Sequence, residues 1–326
     1  MSRIALVTTG GTIVSRIDER TGLAMPVLSG DELLRTLQGL AEGADLEVID
    51  YIRVASPQIE PHHWVGLHAK VQALVDRDDI AGVVVTHGTS TLEETAWFLD
   101  LTLSTDKPVV LTGAQRNASE VGFDGPRNLL GALRVCRCEE ARGLGVLVTL
   151  NDHINAAREV TKTHTIDVET FQSGDWGYLG SLVKDRVFFH RKPSRRLHLP
   201  LQGKVLPSVE IVSMYAGASG AMVVAAADAG AQGVVIQAVA SGHVNEAMQA
   251  GIIEVLRRGV PVVVSTRIPK GGTRLGYGFA GSSQQLVQAG AVLSSDLSPW
   301  KARIVLMLAI QGGNTAAADL QRLFDA

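Results

Sequence analysis

Hydroxyl groups gather at two places in this chain. Thr8-Thr9-Gly10-Gly11-Thr12-Ile13 follows the apolar run Ile4 to Val7, and Thr86-His87-Gly88-Thr89-Ser90-Thr91 follows Val83 to Val85. Each run reads as a strand-end turn, loosened by glycine and lined with threonine. Ligands of open parallel sheets bind outside the carboxyl ends of the strands, so two such turns in one domain point to one site built on hydroxyl chemistry. A threonine hydroxyl is a weak nucleophile at neutral pH. It needs a base or a desolvated lysine to take its proton, and its β-branch restricts the torsion that aims it. Glycines at 10, 11 and 88 let backbone amides approach a substrate, where they can stabilise an oxyanion.

Taken singly, these residues also have plainer readings. Thr8 or Thr12 can cap a helix that follows the first strand. The glycines do not make a nucleotide site, because the Lys-Ser/Thr ending of a P-loop and the third spaced glycine of a dinucleotide fingerprint are both missing. His87 is the residue type of a general base, but a histidine at a buried strand end is more often structural. Glu93 and Glu94 begin a helical pattern, where carboxylates favour the positive end of the dipole, so capping is their expected role. His63 and His68 are five residues apart, next to His62, with no further ligands in view, and no metal is expected there. Cys136 and Cys138 lie two apart in a helical pattern and point in different directions. That excludes a simple bridge and fits a reducing compartment.

Short β-branched runs predict the elements that position the turns. Strands are expected near 3–8, 82–86, 108–112, 145–150, 209–214, 233–238 and 261–265. Ile-Ala-Leu-Val, Gly-Val-Val-Val, Pro-Val-Val-Leu and Gly-Val-Leu-Val do not alternate with polar residues, as expected of parallel strands covered on both faces. Helices are expected near 30–39, 61–76, 91–101, 125–138, 219–229, 244–257 and 298–311. The fold class is therefore α/β, a larger N-terminal doubly wound and mostly parallel sheet followed by a smaller C-terminal α/β domain. The division falls in 186–208, where Phe188-Phe189-His190 gives way to a basic, proline-containing stretch: 1–190 is one domain, 191–208 a linker and 209–326 the second. Residues 14–28 show little periodicity and read as a mobile loop over the site.

A chain of 326 residues with 46% hydrophobic content can bury a large core. A formal charge of −3 argues against nucleic acid as a partner. His190-Arg191-Lys192-Pro193-Ser194-Arg195-Arg196 is the local exception, and reads as a solvated linker. No apolar run approaches the ~20 residues that span a bilayer, and the N-terminus enters a strand without a signal-like segment, so no membrane association is expected and the cytoplasm is the default location.

The two threonine turns resemble the paired motifs of the bacterial-type asparaginase family. Thr112-Gly113-Ala114-Gln115-Arg116, Asp124-Gly125-Pro126, Asn151-Asp152 and Arg158-Glu159-Val160-Thr161-Lys162-Thr163 resemble further family segments in order and spacing, and Trp300-Lys301-Ala302-Arg303 continues the likeness more weakly. The resemblance implies Thr12 as primary nucleophile, Thr89 as a second catalytic hydroxyl and Lys162 as the lysine that activates it. It places Gly11, Ser56, Gly88 and Ser90 around the substrate, with Ser56 matching a serine that holds the substrate carboxylate. It implies hydrolysis of a small carboxamide to a carboxylate and ammonia, without metal or cofactor. It also implies a homodimer or homotetramer whose site is completed at the subunit interface through 241–245 and 270–285, segments that include Lys270 and Arg274.

The chain departs from the family pattern where the substrate's α-ammonium is gripped. The aspartate that usually follows the second threonine is Ser90, the partner subunit's usual glutamate aligns with Ser283 in an acid-free stretch from 279 to 288, and the usual asparagine is His243. Residues 14–28 contain no tyrosine, and Met25 stands near its place. An α-ammonium buried without a counter-charge is strongly penalised. The expected substrate is L-asparagine or a related small amide; alternatives are a succinamate-like, N-substituted or cyclic amide without a free α-ammonium, and a non-catalytic binding module. Loss of the aspartate is also expected to lower the Lys162 pKa toward a useful base.

Overall fold

Residues 3–36 and 45–326 are described in this computed structural model. The chain divides into two compact units, Met1–Arg196 and Leu197–Ala326. The first is built on an eight-stranded sheet in the order Arg186–Phe189, Gly180–Val183, His153–Ala156, Val146–Leu150, Val109–Thr112, Ile80–Thr86, Arg3–Gly10, Leu46–Val54. Pairing is parallel from Leu46–Val54 through Val146–Leu150, and antiparallel beyond it. The chain leaves Arg3–Gly10 toward one edge, then crosses back and builds the rest of the sheet on the other side. The reversal point lies between Arg3–Gly10 and Ile80–Thr86, where doubly wound folds open a crevice.

The apolar runs are buried on both faces. Ile4, Leu6, Val84, Val110 and Leu147 pack with Leu129, Ala132 and Leu133 of the helix Gly125–Arg137. The alternate residues, including Ala5, Val7, Val83 and Val85, are equally buried. Helices Pro61–Val75 and Leu92–Thr102 pack against the sheet and each other, with the Trp64 and Phe98 rings stacked at 5.5 Å. The second unit is a parallel four-stranded sheet in chain order, Val209–Ser213, Gly233–Ala238, Val262–Thr266 and Val292–Leu293. Its core joins Val234, Ile236, Val262 and Val264 to Met248, Ile252 and Val255 of the helix Glu246–Arg257.

Several local features differ from the sequence expectation. The stretch expected as a loop over 14–28 contains a hairpin of Ser15–Ile17 and Ala24–Pro26, which sets Met25 opposite Arg16. Val27 and Leu28 both donate to the Val14 carbonyl at its base, and Ala118 donates to the Ser15 carbonyl. The helix expected over 30–39 is described from Gly30 to Arg35, started by a Ser29–Glu32 capping box, and 37–39 lie outside the described residues. The basic stretch is not simply solvated. Arg191 bonds the Glu159 carboxylate, and Arg196 donates to the Gly143 carbonyl at 2.9 Å. No described helix is long and apolar enough to cross a membrane.

Candidate active site

The first turn is pinched between its two neighbouring strands. Gly10 has φ 107°, and a Cβ there would lie 2.3 Å from the Val54 carbonyl oxygen. Gly11 has φ 83°, and a Cβ there would lie 2.3 Å from the Gly88 Cα. Only glycine allows both the positive φ and the backbone contact. Parallel pairing of Thr8 with Thr86 brings the two strand ends level, and the Gly11–Gly88 contact then joins the turns. Thr12 and Thr89 are the residues that directly follow the two touching glycines.

The hydroxyls divide into structural and available groups. Thr8 donates to Asp50 at 2.7 Å and Thr9 to the Thr86 carbonyl at 2.9 Å, so both are committed to the scaffold. Thr12 opens a short 3-10 turn, Thr12–Val14, and is half-buried. The plainer reading as a side-chain cap does not hold, since the cap position is Gly11 and no side-chain cap bond forms. Gly11 also differs from expectation. Its N–H donates to the Val54 carbonyl at 3.0 Å, so this glycine contributes close approach rather than a free amide.

Ser56 sits against the second turn. It is buried, a Cβ on Gly88 would come within 2.7 Å of its Oγ, and that Oγ accepts from the Ser90 N–H at 3.1 Å. Thr91 Oγ1 donates to the Ser56 carbonyl at 2.8 Å, tying the segment to the same turn. The Ser56 hydroxyl proton remains able to meet an acceptor. Ser90 itself is exposed and neutral.

Lys162 reaches the second turn from a short strand, Thr161–Lys162, paired with Phe171–Gln172. Its Nζ lies 2.7 Å from Thr89 Oγ1 and 3.1 Å from Gln115 Oε1. Thr89 Oγ1 also donates to Gln115 Oε1 at 3.0 Å. Burial holds the Lys162 amine below the ordinary lysine pKa, while the Glu93 charge pulls the other way. Glu93 has a role beyond the expected capping, because its carboxylate accepts from the Lys162 N–H at 3.2 Å. Gln115 was not among the site residues expected from sequence. It lies in the family-like segment Thr112-Gly113-Ala114-Gln115-Arg116, but only the tertiary contacts reveal what its side chain does.

His87 is fully buried and occupied at both nitrogens. The Trp64 indole N–H donates to Thr95 Oγ1, leaving the Thr95 proton for His87 Nε2 at 2.9 Å. His87 Nδ1 therefore carries the hydrogen and donates to the Gly88 carbonyl at 2.7 Å. Burial lowers its pKa to about 4, so it is a neutral brace for the turn. Two other histidines have similar local duties. His63 Nδ1 accepts from the Glu60 N–H, and His68 Nε2 lies 3.2 Å from the Thr102 carbonyl. Among the described residues no group of three His, Cys, Asp or Glu is placed to hold a metal. Both cysteines are free thiols.

His243 and Ser283 lie together in the second unit. His243 Nδ1 accepts from the Ser283 N–H at 3.2 Å, which leaves Nε2 to donate to Ser241 Oγ at 3.2 Å. The ring meets Tyr277 and Phe279 edge-on, each at 5.1 Å between centroids. Ser283 is held within its own unit. Its side chain is buried in the first turn of Ser283–Gln288 and donates to the Arg274 carbonyl at 2.7 Å.

The likeness to known proteins runs nearly the full length of the chain. The family description "Asparaginase, N-terminal" matches residues 3–195, and "Glutaminase/Asparaginase C-terminal domain" matches 208–324. An L-asparaginase of Bacillus licheniformis is 36% identical over 304 residues, covering 93% of this chain and 94% of that protein. L-asparaginase 2 of Escherichia coli (strain K12) is 34% identical, covering 95% and 89%. The crystal structure of a probable cytoplasmic L-asparaginase from Campylobacter jejuni superposes with a TM-score of 0.90 at 33% identity, covering 99% of both chains. With both domains matched and relatives above 30% identity across nearly the full length, this chain belongs to the asparaginase family.

Proposed function

We propose that this protein is an amidohydrolase that converts a small carboxamide, L-asparagine or a close relative, to its carboxylate and ammonia, with Thr12 as the nucleophile. The observation that carries the reading is the Lys162–Thr89 contact of 2.7 Å on a turn locked to the one that bears Thr12. Thr12 Oγ forms a bond to the amide carbon and gives up its proton, while the C–N bond breaks and the departing nitrogen gains one. Water then cleaves the resulting ester and restores the Thr12 hydroxyl. Lys162 and Thr89 are the proton-handling pair, and Ser56 offers its hydroxyl to the substrate carboxylate. This assigns Thr12, Thr89 and Lys162 to the chemistry and Gly11, Ser56, Gly88 and Ser90 to shaping the substrate site, Gly11 through its backbone contact; by family likeness His243 and Ser283 serve the site of a neighbouring subunit.

A second reading concerns the substrate. Ser90 is exposed and uncharged, and residues 279–288 contain no acid, which favours a succinamate-like, N-substituted or cyclic amide over one with a free α-ammonium. By family likeness we place the protein in the cytoplasm, as a homodimer or homotetramer with the catalytic cleft at the subunit interface. The domain division follows the same reading, with catalysis in 1–190 and a second domain over 209–326. Ammonia release across a panel of amides, for wild type and Thr12→Ala, tests the proposal. Turnover of asparagine supports the first reading, turnover of other amides alone supports the second, and no turnover, or turnover that survives Thr12→Ala, overturns the nucleophile assignment.

A further inference from the structure

Three polar atoms close a triangle at the second turn. Thr89 Oγ1, Lys162 Nζ and Gln115 Oε1 are separated by 2.7, 3.0 and 3.1 Å. The orientation of the Gln115 amide follows from its partners. Its Nε2 donates to the Asp167 carbonyl at 2.9 Å, which can only accept, so Oε1 must face the lysine. The residue is anchored at the backbone as well. Asp124 accepts from the N–H groups of Gln115 and Arg116 at 3.1 and 2.9 Å, and from Asn128 Nδ2 at 2.9 Å. Gln115 thus ties three segments together: the end of Val109–Thr112, the Thr89 turn and the loop that contains Asp167.

We propose that Gln115 is a positioning residue for the hydrolysis assigned above: its Oε1 holds the Thr89 hydroxyl and the Lys162 amine in register and decides where the proton rests between them. The inference rests on that functional reading. As arranged, Lys162 donates to Thr89, and the Thr89 proton points at Gln115 rather than at the amine. An acceptor shared by both groups favours the ammonium form of Lys162, so the lysine takes up a proton only after releasing one to solvent, and the Thr89 hydroxyl must then turn from Gln115 toward Nζ. Glu93 is the charged group that acts on the amine, and it also favours the ammonium. Gln115 opposes the effect of burial without adding a charge.

Gln115→Met removes the acceptor at similar length, and Gln115→Glu replaces it with a charged one. Two measurements on the full-length protein separate the outcomes: the pH profile of kcat/KM for ammonia release, and the pH dependence of Lys162 acetylation by acetic anhydride, read by mass spectrometry on folded protein. Gln115→Met should shift the acid limb and the labelling midpoint to lower pH, and Gln115→Glu should shift both upward, each by about one pH unit. Wild-type midpoints in both folded variants would overturn the positioning role, as would a loss of activity with no shift in either midpoint. Opposite labelling shifts in a protein that releases no ammonia from any amide would retain the hydrogen-bonding role and overturn the hydrolytic reading.

Discussion

Replacing His87 with glutamine should make the first unit less sensitive to acid. In the folded protein His87 stays neutral down to about 4, against 6.5 for the free side chain, because burial penalises its charged form, while the bond from Nδ1–H to the Gly88 carbonyl pulls the other way. Above pH 6.5 both folded and unfolded chains hold it neutral, and it contributes no pH dependence. Between 6.5 and 4 the unfolded chain takes the proton and the folded one does not, so stability falls with pH. The gap between 6.5 and about 4, at about 1.4 kcal/mol per pH unit, amounts to about 3 kcal/mol. His87→Gln keeps a donor and an acceptor but cannot take that proton. Urea unfolding followed by tryptophan fluorescence suits the test, since Trp64 and Trp97 are both buried in this unit. Wild type should lose about 3 kcal/mol more than the variant between pH 7.5 and pH 4. Parallel pH dependences for the two proteins would refute the assignment of a buried, neutral His87.

Two further substitutions test the site from different sides. Ser90→Asp should restore a counter-charge for an α-ammonium, worth about 1.5 to 3 kcal/mol, and lower KM for asparagine roughly ten- to hundredfold while leaving KM for a succinamate-like amide unimproved; steady-state kinetics on both substrates would show equal changes if Ser90 does not face the substrate. Gly11→Ala should be destabilising by about 1 to 3 kcal/mol and abolish most ammonia release, because its Cβ would meet the Gly88 Cα at 2.3 Å; a wild-type melting temperature would contradict the backbone contact.

What could be read from sequence follows from how local each signal is. Val83–Val85 and Ile4–Val7 announce buried parallel strands because both their faces are covered, so the runs stay apolar without alternation. The edge strand Leu46–Val54 escapes that test. It carries Glu47, Asp50 and Arg53, with Glu47 paired to Arg77 and Asp50 receiving Thr8, so its pattern is interrupted by charge. His153–Ala156 also goes unread, although Asn151 and Asp152, with φ of 48° and 63°, form the two-residue turn that starts it. At the site, glycine and threonine identities mark where the turns lie. The uses of individual atoms do not show, because they depend on partners distant in sequence: Val54 for the Gly11 amide, Lys162 and Thr89 for Gln115. The substitution of Ser90 is visible in sequence, while the triangle of Thr89, Lys162 and Gln115 beside it is visible only in the fold.

The Gly11–Gly88 contact bears on how this protein can change over generations. Main chain meets main chain there, and neighbouring Gly10 and Gly113 are equally tight, with a Cβ falling 2.3 Å from the Val54 oxygen and 2.5 Å from the His87 oxygen. No side chain can be inserted between the turns, so the centre of the cleft is inelastic and selection has no gradual path through it. Ser90 and Met25, by contrast, are exposed and can be exchanged without moving backbone. A scaffold divided this way can keep its reaction while its substrate changes.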